Sequence, residues 1–81
     1  MEQFCVSKAG CLIGPDGVYG FGVSFDAAEI QVLLTQKVGP GRYIHSEAIV
    51  RSDGCVETID GFPVGRLADP ADFGRIGGSP G

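Results

Sequence analysis

Two loops of the same chemistry constrain this chain more than anything else in it. Gly14-Pro15-Asp16-Gly17 and Ser52-Asp53-Gly54 each set an Asp-Gly pair between runs of apolar and β-forming residues. Pro15 fixes φ at the first position of a turn, and Asp16 tolerates the second. Gly17 and Gly54 supply the left-handed residue that closes a three-residue hairpin loop with a bulge. Each loop therefore calls for a chain reversal between two antiparallel strands. The first hairpin is expected over residues 3–13 and 18–25, the second over Arg42 to Arg51 and Cys55 to Asp60.

The loop geometry also sets a register. In the second hairpin Arg51 is expected opposite Cys55, Val50 opposite Val56, Ala48 opposite Thr58, Ser46 opposite Asp60 and Ile44 opposite Phe62. Ile44, Ala48, Val50, Val56 and Phe62 then share one face, read as core. Tyr43, His45, Glu47, Ile49, Glu57 and Ile59 share the other. In the first hairpin Tyr19, Phe21, Val23 and Phe25 alternate with Gly20, Gly22 and Ser24. The large residues are expected to face the core. The small face is expected to lie under a close neighbour or open to a partner.

Between the hairpins, Asp26 is a candidate N-cap with Glu29 in the capping-box position. Ala27, Ile30, Leu33, Leu34 and Val38 recur at helical spacing, and Gly39-Pro40 reads as a stop. A helix from about Ala27 to Lys37 is expected. Phe62-Pro63-Val64 reads as an edge segment, and Asp69-Pro70 as the cap and first residue of a single helical turn reaching Phe73. Gly74 to Gly81 holds four glycines and a proline and reads as a flexible Gly-rich C-terminal tail. The expected fold is thus α+β, in the order β-β-α-β-β(-β). A small antiparallel sheet of four to five strands carries one helix on one face, in a single domain over residues 1–73.

Composition narrows the function classes. The chain has 81 residues and is 43% hydrophobic, with ten acidic and six basic side chains and a net charge of −4. The cations are scattered, which argues against a direct grip on nucleic acid. An acidic surface suits a basic protein partner instead. Three cysteines, an odd number, fit free thiols in a reducing compartment. The opening residues lack the charged-then-apolar pattern of a signal peptide, and no run approaches a membrane span. The expected location is the cytoplasm.

Candidate catalytic chemistry reduces to Cys5 or Cys11 as thiol nucleophile, His45 as base and Asp60 as orienting acid. His45 near a strand start, with Asp60 on the next strand, resembles the His-and-acid hairpin of papain-like cysteine peptidases over residues 42–61. On that resemblance Gln3 would be an oxyanion donor. Both early cysteines fall in a hairpin rather than at a helix N-terminus, where a dipole would lower the thiol pKa. Asp60, opposite Ser46, points away from His45. Catalysis is therefore not expected. No Cys-x-x-Cys pair offers a metal site, and Gly14-Pro15-Asp16-Gly17 lacks the Lys-Ser/Thr ending of a phosphate loop. Neither a metal nor a cofactor is expected.

By its whole-chain character, which is one acidic domain with glycine-rich hairpins, one helix, reduced cysteines and no complete active site, the sequence resembles small phage-encoded inhibitors of bacterial defence, the anti-CRISPR proteins. That resemblance implies blockade by binding, in the bacterial host cell. The inhibitor would cover a basic, nucleic-acid-handling surface of a Cas effector subunit. The partner-binding residues expected are Tyr43 and Ile49 as anchors, with Glu47, Glu57, Asp60, Asp69 and Asp72 around them. The alternative is a small homodimeric accessory subunit, completed through sheet edges.

Overall fold

The computed structural model describes residues 2–77. Seven strands follow one another round a closed barrel: β1 (Glu2–Val6), β2 (Leu12–Ile13), β3 (Tyr19–Phe25), β4 (Glu29–Gly39), β5 (Arg42–Arg51), β6 (Cys55–Thr58) and β7 (Pro63–Leu67). Each strand is antiparallel to the one before it. An odd number of strands in such a meander leaves the first and last running the same way. The closing pair is accordingly parallel, with Glu2, Gln3 and Phe4 opposite Gly65, Arg66 and Leu67. The only helical pieces among the described residues are short 3-10 turns at Pro15–Gly17 and Pro70–Arg75.

The α+β expectation is therefore corrected to an all-β barrel. The segment read as a helix, 27–37, falls largely within β4, which pairs with β3 on one side and β5 on the other. The same residues satisfy two periods. Ile30, Leu33, Leu34 and Val38 fit a helical stripe, while Ile30, Val32 and Leu34 fit strict alternation. The alternating set is the buried one. β-branched residues at 30, 32, 35 and 38 favour the strand, and two flanking strands satisfy its backbone. Asp26 does cap a turn, accepting a hydrogen bond from the Ala28 amide at 3.1 Å. Its own amide donates to the Glu29 carbonyl at 3.0 Å, which leads the chain into a strand.

The core is the barrel interior: Phe4, Val6, Leu12, Ile30, Val32, Leu34, Ala48, Val50, Val56 and Leu67 from the strands, with Ile76 from beyond them. The faces of β3 are the reverse of expectation. Gly20 is buried, while Phe21 is 55% exposed. A small barrel has little interior volume, and Gly20 leaves it to Leu34. A Cβ on Gly20 would sit 2.8 Å from Leu34 Cδ2 and 3.1 Å from the Leu33 carbonyl oxygen. Residues 3–13 form two strands rather than one, reversed by a turn in which the Gly10 amide donates to the Ser7 carbonyl at 2.9 Å.

The second hairpin keeps the expected register where it pairs: Val50 faces Val56 and Ala48 faces Thr58. Pairing stops there, so Ser46 and Ile44 do not meet Asp60 and Phe62. Ile44 and Phe62, expected in the core, are 56% and 69% exposed. Gly17 and Gly54 take left-handed φ of 78° and 96°, as their loops require. Pro63 opens β7 at a strand start, in a barrel wall rather than at an edge.

Asp69 caps the second 3-10 turn as expected, accepting from the Ala71 amide at 3.0 Å. The turn runs on to Arg75, and the chain does not fray at Gly74. Ile76 is 3% exposed within the core. The Gly77 amide donates to the Gly10 carbonyl at 3.3 Å, and Arg75 reaches the Ser7 carbonyl at 3.4 Å. Residues 74–77 of the expected tail thus pack on the β1–β2 turn, and 78–81 lie outside the described residues.

One hairpin outruns the barrel. β3 pairs with β4 only as far as Thr35, opposite Tyr19, and β6 pairs with β5 only over Ala48–Val50. Beyond those limits β4 and β5 pair with each other alone, as a two-stranded arm of residues 36–47. Pro40-Gly41 turns it, with Gly41 at φ 67°, in the order of a type II turn.

Candidate functional site

The outward face of β3, β4 and β5 is built from the three longest strands of the barrel, and its chemistry follows from the pairing. Across these strands Ser24, Gln31 and Ile49 form one row, continued by Glu57 on β6. Phe21, Leu33 and Glu47 form the next, then Tyr19, Thr35 and His45, and finally Lys37 and Tyr43 on the arm. A bulge between Gly22 and Ser24 shifts the alternation of β3 by one residue. It brings Ser24 to the outer face and turns Phe25 to the inner side, over Gly22.

The centre of this face is aromatic and partly ordered by its own contacts. The rings of Tyr19 and Phe21 meet edge to face at 5.8 Å and 82°. Thr35 is buried despite facing outward, and its hydroxyl lies 3.0 Å from His45 Nδ1, which fixes the imidazole on the sheet. Phe21 and Tyr43 remain half exposed. Carboxylates stand around them. Glu47 accepts from Gln31 Nε2 at 3.3 Å. Glu57 accepts from Arg51 Nε at 2.6 Å, and Arg51 also lies 3.7 Å from Glu29. Its hydrogen bond to Glu57 and the charges of Glu57 and Glu29 raise the Arg51 guanidinium pKa further above its usual range. Ser24, Asp26, Glu29, Gln31, Ile49 and Ile59 line a shallow pocket of about 180 Å³ at one end of the face.

Of the expected partner-binding residues, Tyr43, Glu47 and Ile49 share this outward face on β5, and Glu57 adjoins them on β6. Asp60 is exposed in the turn before β7. Asp69 and Asp72 stand apart, on the 3-10 turn that packs against β1 and β7. Both are engaged there, Asp69 as a cap and Asp72 in an ion pair with Arg75 at 3.1 Å. Tyr19, Phe21 and Leu33 were expected in the core, not at a surface. The alternation of β3 revealed two faces, but nothing local said which was inside.

The peptidase set is not assembled. Cys5 is exposed on β1, and Cys11 Sγ points at the Gly20 carbonyl, 3.3 Å away. His45 is on β5, separated from β1 by three strands one way round and two the other. Its hydrogen-bond partner is Thr35, and Asp60 lies in the β6–β7 turn. Gln3 sits on β1 opposite Arg66. Cys55 belongs to a different pair. The Asp53 carboxylate accepts from the Cys55 amide at 2.9 Å, and that bond holds Asp53 below the usual carboxylate range. The same carboxylate, followed by burial, pushes the Cys55 thiol above its usual range. Among the described residues no group of three or more His, Cys, Asp or Glu side chains is placed to hold a metal ion. Among the same residues no helix is long and apolar enough to cross a membrane.

Comparison with protein-family models, curated proteins and solved structures finds no match.

Proposed function

We propose that this chain is an acidic protein-binding module that docks a basic protein surface through the outer face of β3, β4 and β5. One observation carries the reading. Phe21 and Tyr43 stand half exposed, with Leu33 and Ile49 beside them, on a single sheet face edged by Glu29, Glu47 and Glu57. Apolar anchors inside a charged rim are the anatomy of a docking surface. A net charge of −4 favours encounter with a cationic partner. Contact through Asp69 and Asp72 is no part of this reading, because they lie elsewhere on the barrel. The resemblance to phage-encoded inhibitors of bacterial defence supplies the partner class, a nucleic-acid-handling Cas effector subunit, and makes the outcome of binding inhibition.

The test is capture of purified Cas effector subunits on the immobilised chain, across a salt series. Phe21→Ser together with Tyr43→Ser should reduce capture by tenfold or more, the about 1.4 kcal/mol expected from losing one buried anchor. Melting should hardly change, since both side chains are half exposed. Glu47→Lys with Glu57→Lys should slow association and flatten its salt dependence. Undiminished capture by a well-folded Phe21→Ser, Tyr43→Ser protein sinks this placement of the surface.

A further inference from the structure

We propose that the free edge of β5, Arg42–Glu47, pairs antiparallel with the same edge of a second copy of this chain. Among the described residues β3 lacks a partner over Phe21–Phe25 on its β2 side, but the bulge between Gly22 and Ser24 breaks that edge, and the arm presents the other long unpaired edges. Its two edges differ. The β4 side, Gln36–Gly39, carries Lys37 and a bulge between Lys37 and Gly39, and runs into Pro40. Charge, bulge and proline are the devices that blunt an edge against pairing. The β5 side is a regular strand with no bulge and no proline, and it exposes Tyr43 and Ile44.

Symmetry and the position of β6 select the register. Two copies of one edge pair antiparallel about a two-fold axis normal to the sheet. Directly opposed side chains then project to the same side. Thr58 already fills the position beside Ala48. A pairing centred on Ile44 stops short of it, opposing Arg42 to Ser46, Tyr43 to His45 and Ile44 to its own copy. No like charges face each other. Two Ile44 side chains, each 56% exposed in the single chain, cover one another on one face of the joined sheet. Tyr43 and His45 stack on the other face. Centring on His45 would instead bring Arg42 against Ala48, where Thr58 stands, and Tyr43 against the Glu47 carboxylate. The contact spans five residues, so it lies at the small end of specific interfaces and is reversible.

Sedimentation of the full chain over about 10 μM to 1 mM, the affinity range of small transient contacts, tests this. The mass should rise from monomer towards dimer with concentration. Ile44→Lys sets two ammonium groups across the axis, at the roughly 5 Å of opposed cross-strand residues, and should abolish association without lowering the melting temperature. Val38→Lys, on the blunted edge, should leave the dimer intact. A chain with Ile44→Cys should form a disulfide-linked dimer on mild air oxidation beyond the parent's own background, and one with Ser46→Cys should not. A monomeric parent at every concentration, or a dimer lost in Val38→Lys and kept in Ile44→Lys, overturns the proposal. The docking reading above is judged separately by the single Phe21→Ser variant, which lies on the sheet face and, unlike Tyr43→Ser, leaves this edge untouched.

Discussion

Replacing Ile76 with Ala separates a packed chain end from a frayed one. Ile76 lies within a segment that reads as a tail, yet it is 3% exposed among the barrel side chains. The substitution removes three buried carbons, which at about 0.8 kcal/mol each gives about 2.4 kcal/mol before any cavity is counted. An end-of-barrel site collapses more readily than the middle of a core, so the total should stay near the lower end of the 2–5 kcal/mol typical of buried Ile→Ala changes. At about 4–8 °C per kcal/mol for a domain of this size, the melting temperature should fall by roughly 10–20 °C. Thermal unfolding followed by far-ultraviolet circular dichroism is the assay, with Val38→Ala as the control. Val38 is 49% exposed on the arm, and its loss should cost less than about 0.5 kcal/mol. An Ile76→Ala protein melting within two degrees of its parent would mean that the 3-10 turn and Ile76 do not close the barrel end.

Two further outcomes follow from the same architecture. Leu34→Ala should cost about 2–5 kcal/mol in chemical denaturation and Leu33→Ala less than half as much, because only Leu34 points inward; equal costs would restore the helical stripe. Asp53→Asn should speed alkylation of Cys55 several-fold at about pH 8, just below the usual thiol range, by removing the carboxylate that keeps the thiol protonated. Linkage fixes the sign of both pH effects. The raised Cys55 pKa contributes stability that is present below the unfolded thiol value and lost as pH rises through the folded one. The lowered Asp53 pKa contributes stability present above the unfolded carboxylate value and lost as pH falls through the folded one. Asp53→Asn should flatten both limbs of the pH–stability profile, and an unchanged acid limb would contradict the Asp53–Cys55 contact.

What the sequence disclosed is what local chemistry decides. The left-handed glycines at 17 and 54, the pairing of Val50 with Val56 and Ala48 with Thr58, and the Asp69 cap all follow from residues within a few positions of one another. What it concealed is decided by distant neighbours. Residues 30–38 satisfy a helical and a strand period at once, and only strands on both flanks settle between them. The faces of β3 were legible as faces, but Gly20 lies inside because Leu34, far along the chain, needs the space. The candidate surface suffered the same way. Tyr43, Glu47, Ile49 and Glu57 could be grouped by alternation within one hairpin. Phe21 and Leu33 join them only once β3 and β4 are laid beside β5. Asp69 and Asp72 were grouped with that hairpin by proximity in sequence, which a barrel does not respect.

The parallel closing pair has a consequence for how the molecule is made. β1 leaves the ribosome before the other strands of the barrel and β7 after them, yet each completes its hydrogen bonding only on the other. Until β7 emerges, β1 waits with one side unpaired, and so does the growing sheet at its other end. Joining the two ends closes the longest strand-to-strand loop of the barrel, which makes closure the slow, entropically costly step. A nascent or truncated chain lacking β7 is thus an open sheet with two free edges, the form most open to pairing with other chains.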